Sequence, residues 1–529
     1  MMGIVRLVAP GADCFRPSLV GAHSARAGLR SSVIIEIAFG FLLTGCAVGP
    51  NFERPGPPEV RAYTAQALPA QTSSAPVVGG EAQRFLMEQE LPRRWWELFG
   101  SPPLSSLVDQ ALKSNPDMQA AQAALRGALE NIYAQEGIFY PSIQANFLAN
   151  RQKNAVDVVS PTLTSGAPIF SLYTPQLLVS YTLDPWGGNR RQLESTEAQA
   201  EAQRFQVEAT YLTLTSNIVV ASIQEASLRA QLAATEDVVR IETEQLTLLR
   251  RQFDLGAIAW SDVAAQQTAL SQTEATLPPL KKQLAQQRDL IARLAGRFPS
   301  DEMVERFELD ALQLPRELPV SLPAMLVEQR PDVRQAEANL HAATAQVGVA
   351  VANMLPQITL TGNVGSTSTQ FRQLFTSSTG FWGFTAGVLQ PLFDGGALLH
   401  RKRAADAAVE QAAAQYRGTV LTAFQNVADA LHALQEDADT LAAAARAERA
   451  AAESLAIARR TAELGATSFL PVLNAEQAYH QTVIGLAQAR ANRYTDTVAL
   501  FQALGGGWWH DEAIATGAPE SAASPERNY

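Results

Sequence analysis

Four short stretches of the chain alternate apolar and polar residues with period two. In 142–151, Ile143, Ala145, Phe147 and Ala149 fall on one face and Gln144, Asn146 and Asn150 on the other. In 357–366, Ile358, Leu360 and Val364 oppose Gln357, Thr359, Thr361 and Asn363. Leu177, Val179, Tyr181 and Leu183 oppose Gln176, Ser180 and Thr182, while Trp382, Phe384, Ala386 and Val388 oppose Gly383, Thr385 and Gly387. Alternation of this kind predicts β-strands. Each would run for about ten residues, the length of a strand that crosses a bilayer. Aromatic residues collect near the strand ends (Phe139, Tyr140, Tyr173, Phe381, Trp382, Phe393), as they do in interfacial girdles. The same alternation also suits half-buried strands of a soluble sheet. The strands pair as two hairpins, 141–184 and 356–393, whose loops at 152–171 and 367–379 are rich in Ser, Thr, Gly and Pro. Single-chain membrane barrels need at least about eight strands. If these four span a membrane, several chains share one barrel.

The longest segments carry a helical pattern. Residues 189–254 contain neither proline nor glycine, and as one helix they would reach about 100 Å at roughly 1.5 Å per residue. Residues 397–463 mirror them, with only Gly418 inside. There Val420, Phe424, Val427, Leu431, Leu434, Ala438 and Leu441 follow the alternating four–three spacing of a heptad seam. The first segment shows that seam more briefly at Val207, Tyr211, Leu214 and Ile218. Each long helix ends at a Leu-Gly-Ala turn, Leu255-Gly256-Ala257 or Leu464-Gly465-Ala466, and is followed by a return helix over 261–296 or 468–504. Shorter helices are predicted from about 103 to 137, broken at Asn115-Pro116, and from 323 to about 354, broken at Pro331. Gly187-Gly188 and Gly395-Gly396 mark sharp re-entries from strand to helix; a phosphate cradle would need a fuller fingerprint.

These elements occur twice. Pro116 and Pro141 are 25 residues apart, as are Pro331 and Pro356. From Gly188 to Gly256 is 68 residues and from Gly396 to Gly465 is 69. The chain therefore reads as two copies of one elongated unit, 103–310 and 311–510, and not as a string of ordinary domains.

Charge and cysteine usage narrow the function. Arg26 and Arg30 precede the apolar stretch Val33 to Leu43, and Leu43-Thr44-Gly45-Cys46 fits the bacterial lipobox, so 1–45 is expected to be a removable export signal and Cys46 a lipidated mature N-terminus. Removing 1–45 takes away Arg6, Arg16, Arg26, Arg30, Asp13 and Glu36 and moves the formal charge from −11 to −13. An acidic chain without a basic patch is a poor partner for nucleic acid. Cys14 would leave with the signal, so no intrachain disulfide is expected. Residues 46–102, rich in Pro, Ala, Gln and Ser, read as a lipid-anchored linker, and 511–529 as a disordered tail. No G-x-x-x-x-G-K-[ST], H-E-x-x-H or C-x-x-C motif is present. His341, His400, His432 and His480 lie on predicted helices at no ligand spacing, so no metal, no cofactor and no enzymatic activity is expected.

One resemblance joins these features. Cys46-Ala47-Val48-Gly49-Pro50-Asn51-Phe52, followed by Arg54-Pro55, resembles the mature start of NodT-type outer membrane lipoproteins; Trp95-Trp96-Glu97-Leu98-Phe99 and Leu104 through Asn115-Pro116-Asp117 resemble their next signature. Those proteins are TolC-type outer membrane factors of tripartite efflux pumps. The resemblance implies a mainly α chain with a β-barrel part: two long coiled-coil hairpins and four strands per chain. As a homotrimer these form a 12-stranded outer membrane barrel and a 12-helix periplasmic tunnel. It implies a passive exit duct that takes its energy from an inner-membrane pump of the resistance-nodulation-division type through a periplasmic adaptor. It makes Leu255, Gly256, Ala257, Leu464, Gly465 and Ala466 the adaptor-docking tips. Asp262 matches an acidic gate position, and Asn474 falls where many relatives carry Asp. Asp262 also stands in the first turn of its predicted helix, where a carboxylate is stabilising without any gate. The rival reading is a periplasmic coiled-coil lipoprotein acting as a scaffold, which leaves the duplicated hairpins unexplained.

Overall fold

The structure, a computed structural model, describes residues 47–60, 62–153, 169–301, 305–464, 466–467 and 470–510. Strand β1 (Arg84–Met87) precedes the first copy of the repeated unit: α1 (Pro102–Ser114), α2 (Pro116–Glu136), β2 (Ser142–Lys153), β3 (Ile169–Leu183), α3 (Gly188–Asp254) and α4 (Trp260–Leu294). Strand β4 (Glu317–Val320) then leads into the second: α5 (Pro323–Gln329), α6 (Pro331–Ala352), β5 (Gln357–Ser366), β6 (Gly380–Leu389), α7 (Ala397–Glu463) and α8 (Leu470–Ala503). Helices α3 and α7 are each 67 residues long, about 100 Å at ~1.5 Å per residue. Both start from a glycine at positive φ, Gly187 at 74° and Gly396 at 86°, a conformation that lets the chain turn sharply out of the strand. The return helix α4 carries Pro278 and Pro279 in its interior, so the carbonyls of Glu274 and Ala275 lack their helical N–H donors.

The duplication extends to single hydrogen bonds. Asn115 caps α2, its Oδ1 accepting from the N–H groups of Asp117 (2.8 Å) and Met118 (3.2 Å), and its Nδ2 donates to the carbonyl of Leu294 at the end of α4 (2.9 Å). At the matching place in the second copy, Arg330 donates to the carbonyl of Ala503 at the end of α8 (3.0 Å) and grips Asp332 in the first turn of α6 (2.7 and 3.0 Å). Two different side chains thus satisfy the same orphan carbonyl of a return helix.

The main core lies midway along the long helices. Trp95, Trp96 and Phe99 are fully buried there with Ile218 of α3, Leu431 and Leu434 of α7, and Tyr494 and Phe501 of α8. The seam read from the sequence is buried at Val427, Leu431, Leu434, Ala438 and Leu441 and half-buried at Val420 and Phe424. The stretch expected to be a plain linker, 46–102, is more than that. β1 pairs in parallel with β4. Gln83 donates to the carbonyl of Pro315 (3.0 Å) and to Thr497 (3.1 Å), and the fully buried Arg493 of α8 donates to Thr72 and to the carbonyl of Glu81 (3.0 and 2.6 Å). Its Pro- and Gln-rich composition signalled extension; it did not signal that the extended chain is stitched to α8. The expected export signal 1–45, Cys46, Gly465, the 511–529 tail and 154–168 of the first hairpin loop lie outside the described residues.

Candidate channel wall and tips

The four long strands form one antiparallel sheet in the order β2-β3-β5-β6. Its register aligns the alternating sets. Ile143 pairs with Val179, Val179 with Gly362, and Gly362 with Phe384; Ala145, Leu177, Val364 and Trp382 form the next row. Directly paired residues share a face, so one face is apolar from edge to edge. The other carries Gln144, Asn146, Gln176, Ser180, Thr359, Thr361, Asn363 and Thr385. Trp382 on the apolar face is 80% exposed and Val388 69%. A sheet that is apolar and exposed on one side and polar on the other suits a wall between lipid and water. Its edge strands β2 and β6 have no further partner among the described residues, and open edges of this kind pair with another chain. Strands β2 and β3, at 12 and 15 residues, exceed the ten expected.

The residues after Cys46 are held at the joint between sheet and helices. The N–H of Val48 donates to the carbonyl of Trp186 (3.0 Å). Gly49 lies so close to Gly348 that a Cβ there would stand 2.5 Å from its Cα. Arg191, nearly buried at the start of α3, donates to Asn51 Oδ1 (2.6 Å) and to the carbonyl of Val48 (3.2 Å). Phe52 stacks on His341 at 4.4 Å, and Arg54 pairs with Glu337 at 3.0 Å. Each residue of the Gly-Pro-Asn-Phe signature other than the proline has a named contact. Arg191 and Gly348, which receive it, carried no signal of their own in the sequence.

At the far ends of the long helices the two tips are built alike. The N–H of Ala257 donates to the carbonyl of Gln252 (2.8 Å) and that of Ala466 to Thr461 (3.0 Å), each bond closing the end of its helix. Gly256 has φ 75°, with open space around it. Leu255 is 84% and Leu464 66% exposed. Trp260, also exposed, lies 5.3 Å from Phe253 between ring centroids. These aromatic residues were not singled out from the sequence, although an aromatic pair flanking a glycine turn was visible there.

Asp262 lies in the first turn of α4, half-buried, its own N–H donating to the carbonyl of Ala259 (3.1 Å). Asn474 is exposed on α8 and lines a small cavity with Glu242, Thr273 and His480; Asp262 is not part of that lining. Beside this cavity Gln245 and Arg459 both donate to Glu476, joining α3 and α7 to α8. Burial pushes the Glu242 carboxyl above its ordinary range, and the nearby Glu476 charge adds to the shift. His480 Nε2 is 3.2 Å from Thr235 Oγ1, and burial lowers its pKa. Among the described residues no group of three His, Cys, Asp or Glu side chains is arranged to hold a metal ion.

Comparison with known proteins agrees with this architecture. The family model described as outer membrane efflux protein matches residues 107–297 and 322–506. Nodulation protein T of Rhizobium leguminosarum bv. trifolii is 30% identical over 459 residues, 85% of this chain and 92% of its own. The probable efflux pump outer membrane protein TtgC of Pseudomonas putida is 29% identical over 492 residues, 92% of this chain and 98% of its own. The solved outer-membrane channel OprN superposes with a TM-score of 0.77 at 29% identity, covering 88% of this chain and all of the channel. With both halves of the duplication matched and an outer-membrane channel as structural neighbour, this chain belongs to the outer membrane efflux protein family.

Proposed function

We propose that three copies of this chain close one duct across the outer membrane and the periplasm, through which small molecules leave the cell after an inner-membrane pump has energised their transport. The observation that carries the assembly is the four-stranded sheet, apolar on one face, polar on the other and open at β2 and β6. Pairing β2 of one copy with β6 of the next satisfies both edges, and three copies give twelve strands. The α3–α4 and α7–α8 hairpins continue below the sheet as the periplasmic tunnel. The exposed Leu255 and Leu464, with Gly256, Ala257, Gly465 and Ala466, form the surface on which a periplasmic adaptor docks, and a pump of the resistance-nodulation-division type lies beyond it. Cys46 carries the lipid; the next residue, Ala47, packs against Gly187 where strand gives way to helix, which suits an anchor at the membrane edge.

Purified protein is expected to run as a heat-resistant trimer and to conduct ions in planar bilayers. Monomers that bind the membrane and never conduct would favour the scaffold reading instead. Mass spectrometry of membrane-extracted protein is expected to find an acylated Cys46, and an intact 1–45 segment on the working protein would remove the anchor from the proposal.

A further inference from the structure

The charged residues of the described sheet region are sorted by end. Arg151, Lys153 and Arg372 lie at the hairpin-loop end, and Asp184 and Asp394 where the chain enters or leaves the long helices. No acidic residue occurs in β2, β3, β5, β6 or the 367–379 loop; the first hairpin loop, outside the described residues, adds Asp157. By the alternation of β2, Arg151 and Lys153 stand on the same face as Ile143 and Phe147, the apolar one. A cation on the lipid side of a barrel strand is costly at mid-bilayer and tolerated only near an interface.

The second hairpin loop brings a third cation to this place. Ser368 and Tyr173 exchange backbone hydrogen bonds at 2.9 and 3.0 Å, continuing the sheet. The loop then folds over the apolar face. Phe371 packs edge-on against Tyr173 (5.7 Å) and Phe147 (6.5 Å), and Arg372 follows it. Phe375, at φ 70° and 80% exposed, overhangs a groove of about 730 Å³ whose floor includes Phe147, Leu177 and Val364. Among the described residues none of the three cations forms an ion pair. An apolar groove under an aromatic ledge, with Arg372 in the loop that forms the ledge and Arg151 and Lys153 further along β2 on the same face towards the loop end, is complementary to an amphiphile with an anionic head. The long helices leave from the opposite end of the sheet, so the groove opens towards the exterior.

We propose that this face is a binding site for a phosphorylated, acylated glycolipid of the outer leaflet. Its phosphates meet Arg151, Lys153 and Arg372, and an acyl chain lies along Phe147, Leu177 and Val364 beneath Phe375. Phosphate gives each cation a charge-assisted contact, and the groove falls within the roughly 300–1,000 Å³ of sites that take a molecule-sized ligand. The proposal rests on the barrel reading for which face meets lipid and which end of the sheet faces the exterior.

The test uses detergent-solubilised trimers of the full chain and native mass spectrometry with three probes: diphosphoryl lipid A, the same lipid without phosphates, and phosphatidylglycerol. Wild-type trimers are expected to retain diphosphoryl lipid A in preference to both others. The triple variant Arg151→Gln, Lys153→Gln, Arg372→Gln is expected to lose on the order of a hundredfold in affinity, taking the ~1 kcal/mol typical of each surface cation. Equal retention of the phosphate-free lipid, equal retention of phosphatidylglycerol, or full binding by the triple variant would each overturn the site. If the variant does not form heat-resistant trimers, the three-probe comparison on wild type decides alone. Trimers that conduct but show no lipid preference would sink this inference and leave the duct intact; trimers that never conduct would sink the duct.

Discussion

Asp437 of α7 faces Asp496 of α8 with Arg493 beside them, and burial, then the hydrogen bond and charge of Asp496, raises the Asp437 pKa to about 7. The consequence for stability has a definite sign. Below the ordinary carboxylate range both folded and unfolded chains hold the proton. Between that range and about 7 only the folded chain holds it, so stability falls as pH rises through this window and the full cost is present above it. Asp437→Asn is therefore expected to raise the melting temperature at pH 8 and to change it little at pH 4, read by thermal unfolding at both values. An equal shift at both would mean that the charge is not the cause. Asn115 offers a second test. Asn115→Ala removes a cap worth about 1 kcal/mol and leaves the Leu294 carbonyl unpaired at a further ~1–3 kcal/mol. Loss of stability well under 1 kcal/mol would show that water replaces both bonds. At this scale the sequence was informative where a residue has a local job. The Asn-Pro helix start and the glycine turns were legible because capping and positive φ depend on immediate neighbours. Arg191, Arg330 and Arg493 were not, since each acts on groups more than 100 residues away.

The elements follow from period. Strands and seams were placed correctly because alternation and heptads reflect backbone geometry, which acts over a few residues. Lengths were less legible: the ladder with β2 carries β3 through Pro175, which pairs with Phe147, and beyond the start of the β5 pairing at Gln176. The tips are the elements whose function depends most on shape. Gly256→Pro cannot keep φ 75°, and Leu255→Asp removes the most exposed apolar side chain of the tip while leaving its backbone free to form. Both variants are expected to lose efflux, measured as accumulation of a dye substrate, with trimers still present in the outer membrane. Normal efflux in both would move adaptor docking elsewhere. Prolines 278 and 279 leave two carbonyls of α4 without helical donors, and the periodicity of that segment gave no hint of it.

For the whole molecule, the proposed duct would need a closed state when no pump engages it, and the gate reading of Asp262 supplies one. Three Asp262 carboxylates brought together by a trimer would repel one another and attract cations. Asp262→Ala is expected to raise single-channel conductance and reduce cation preference, and Asn474→Asp to increase cation preference and block by divalent ions. If Asp262→Ala leaves conduction unchanged and costs only the ~0.3–1 kcal/mol of a charge at a helix start, Asp262 is a helix-start residue and no gate.

The sequence alone determined the periodic elements, the duplication, the count of four strands, and hence the need for more than one chain to close a barrel. All of these are written in local spacing, where each residue's contribution depends on neighbours within a turn or a pleat. Tertiary structure decided which strands lie side by side: the two hairpins meet through β3 and β5, which lie far apart along the chain. It also decided that the Pro- and Gln-rich strap is sewn onto α8 by Arg493, and that the second hairpin loop folds back over the apolar face to place Phe371 against Phe147. Those outcomes come from closing long loops for the sake of burial and hydrogen bonding at a distance. The free energy of such contacts belongs to pairs of segments, and no single stretch of sequence records it.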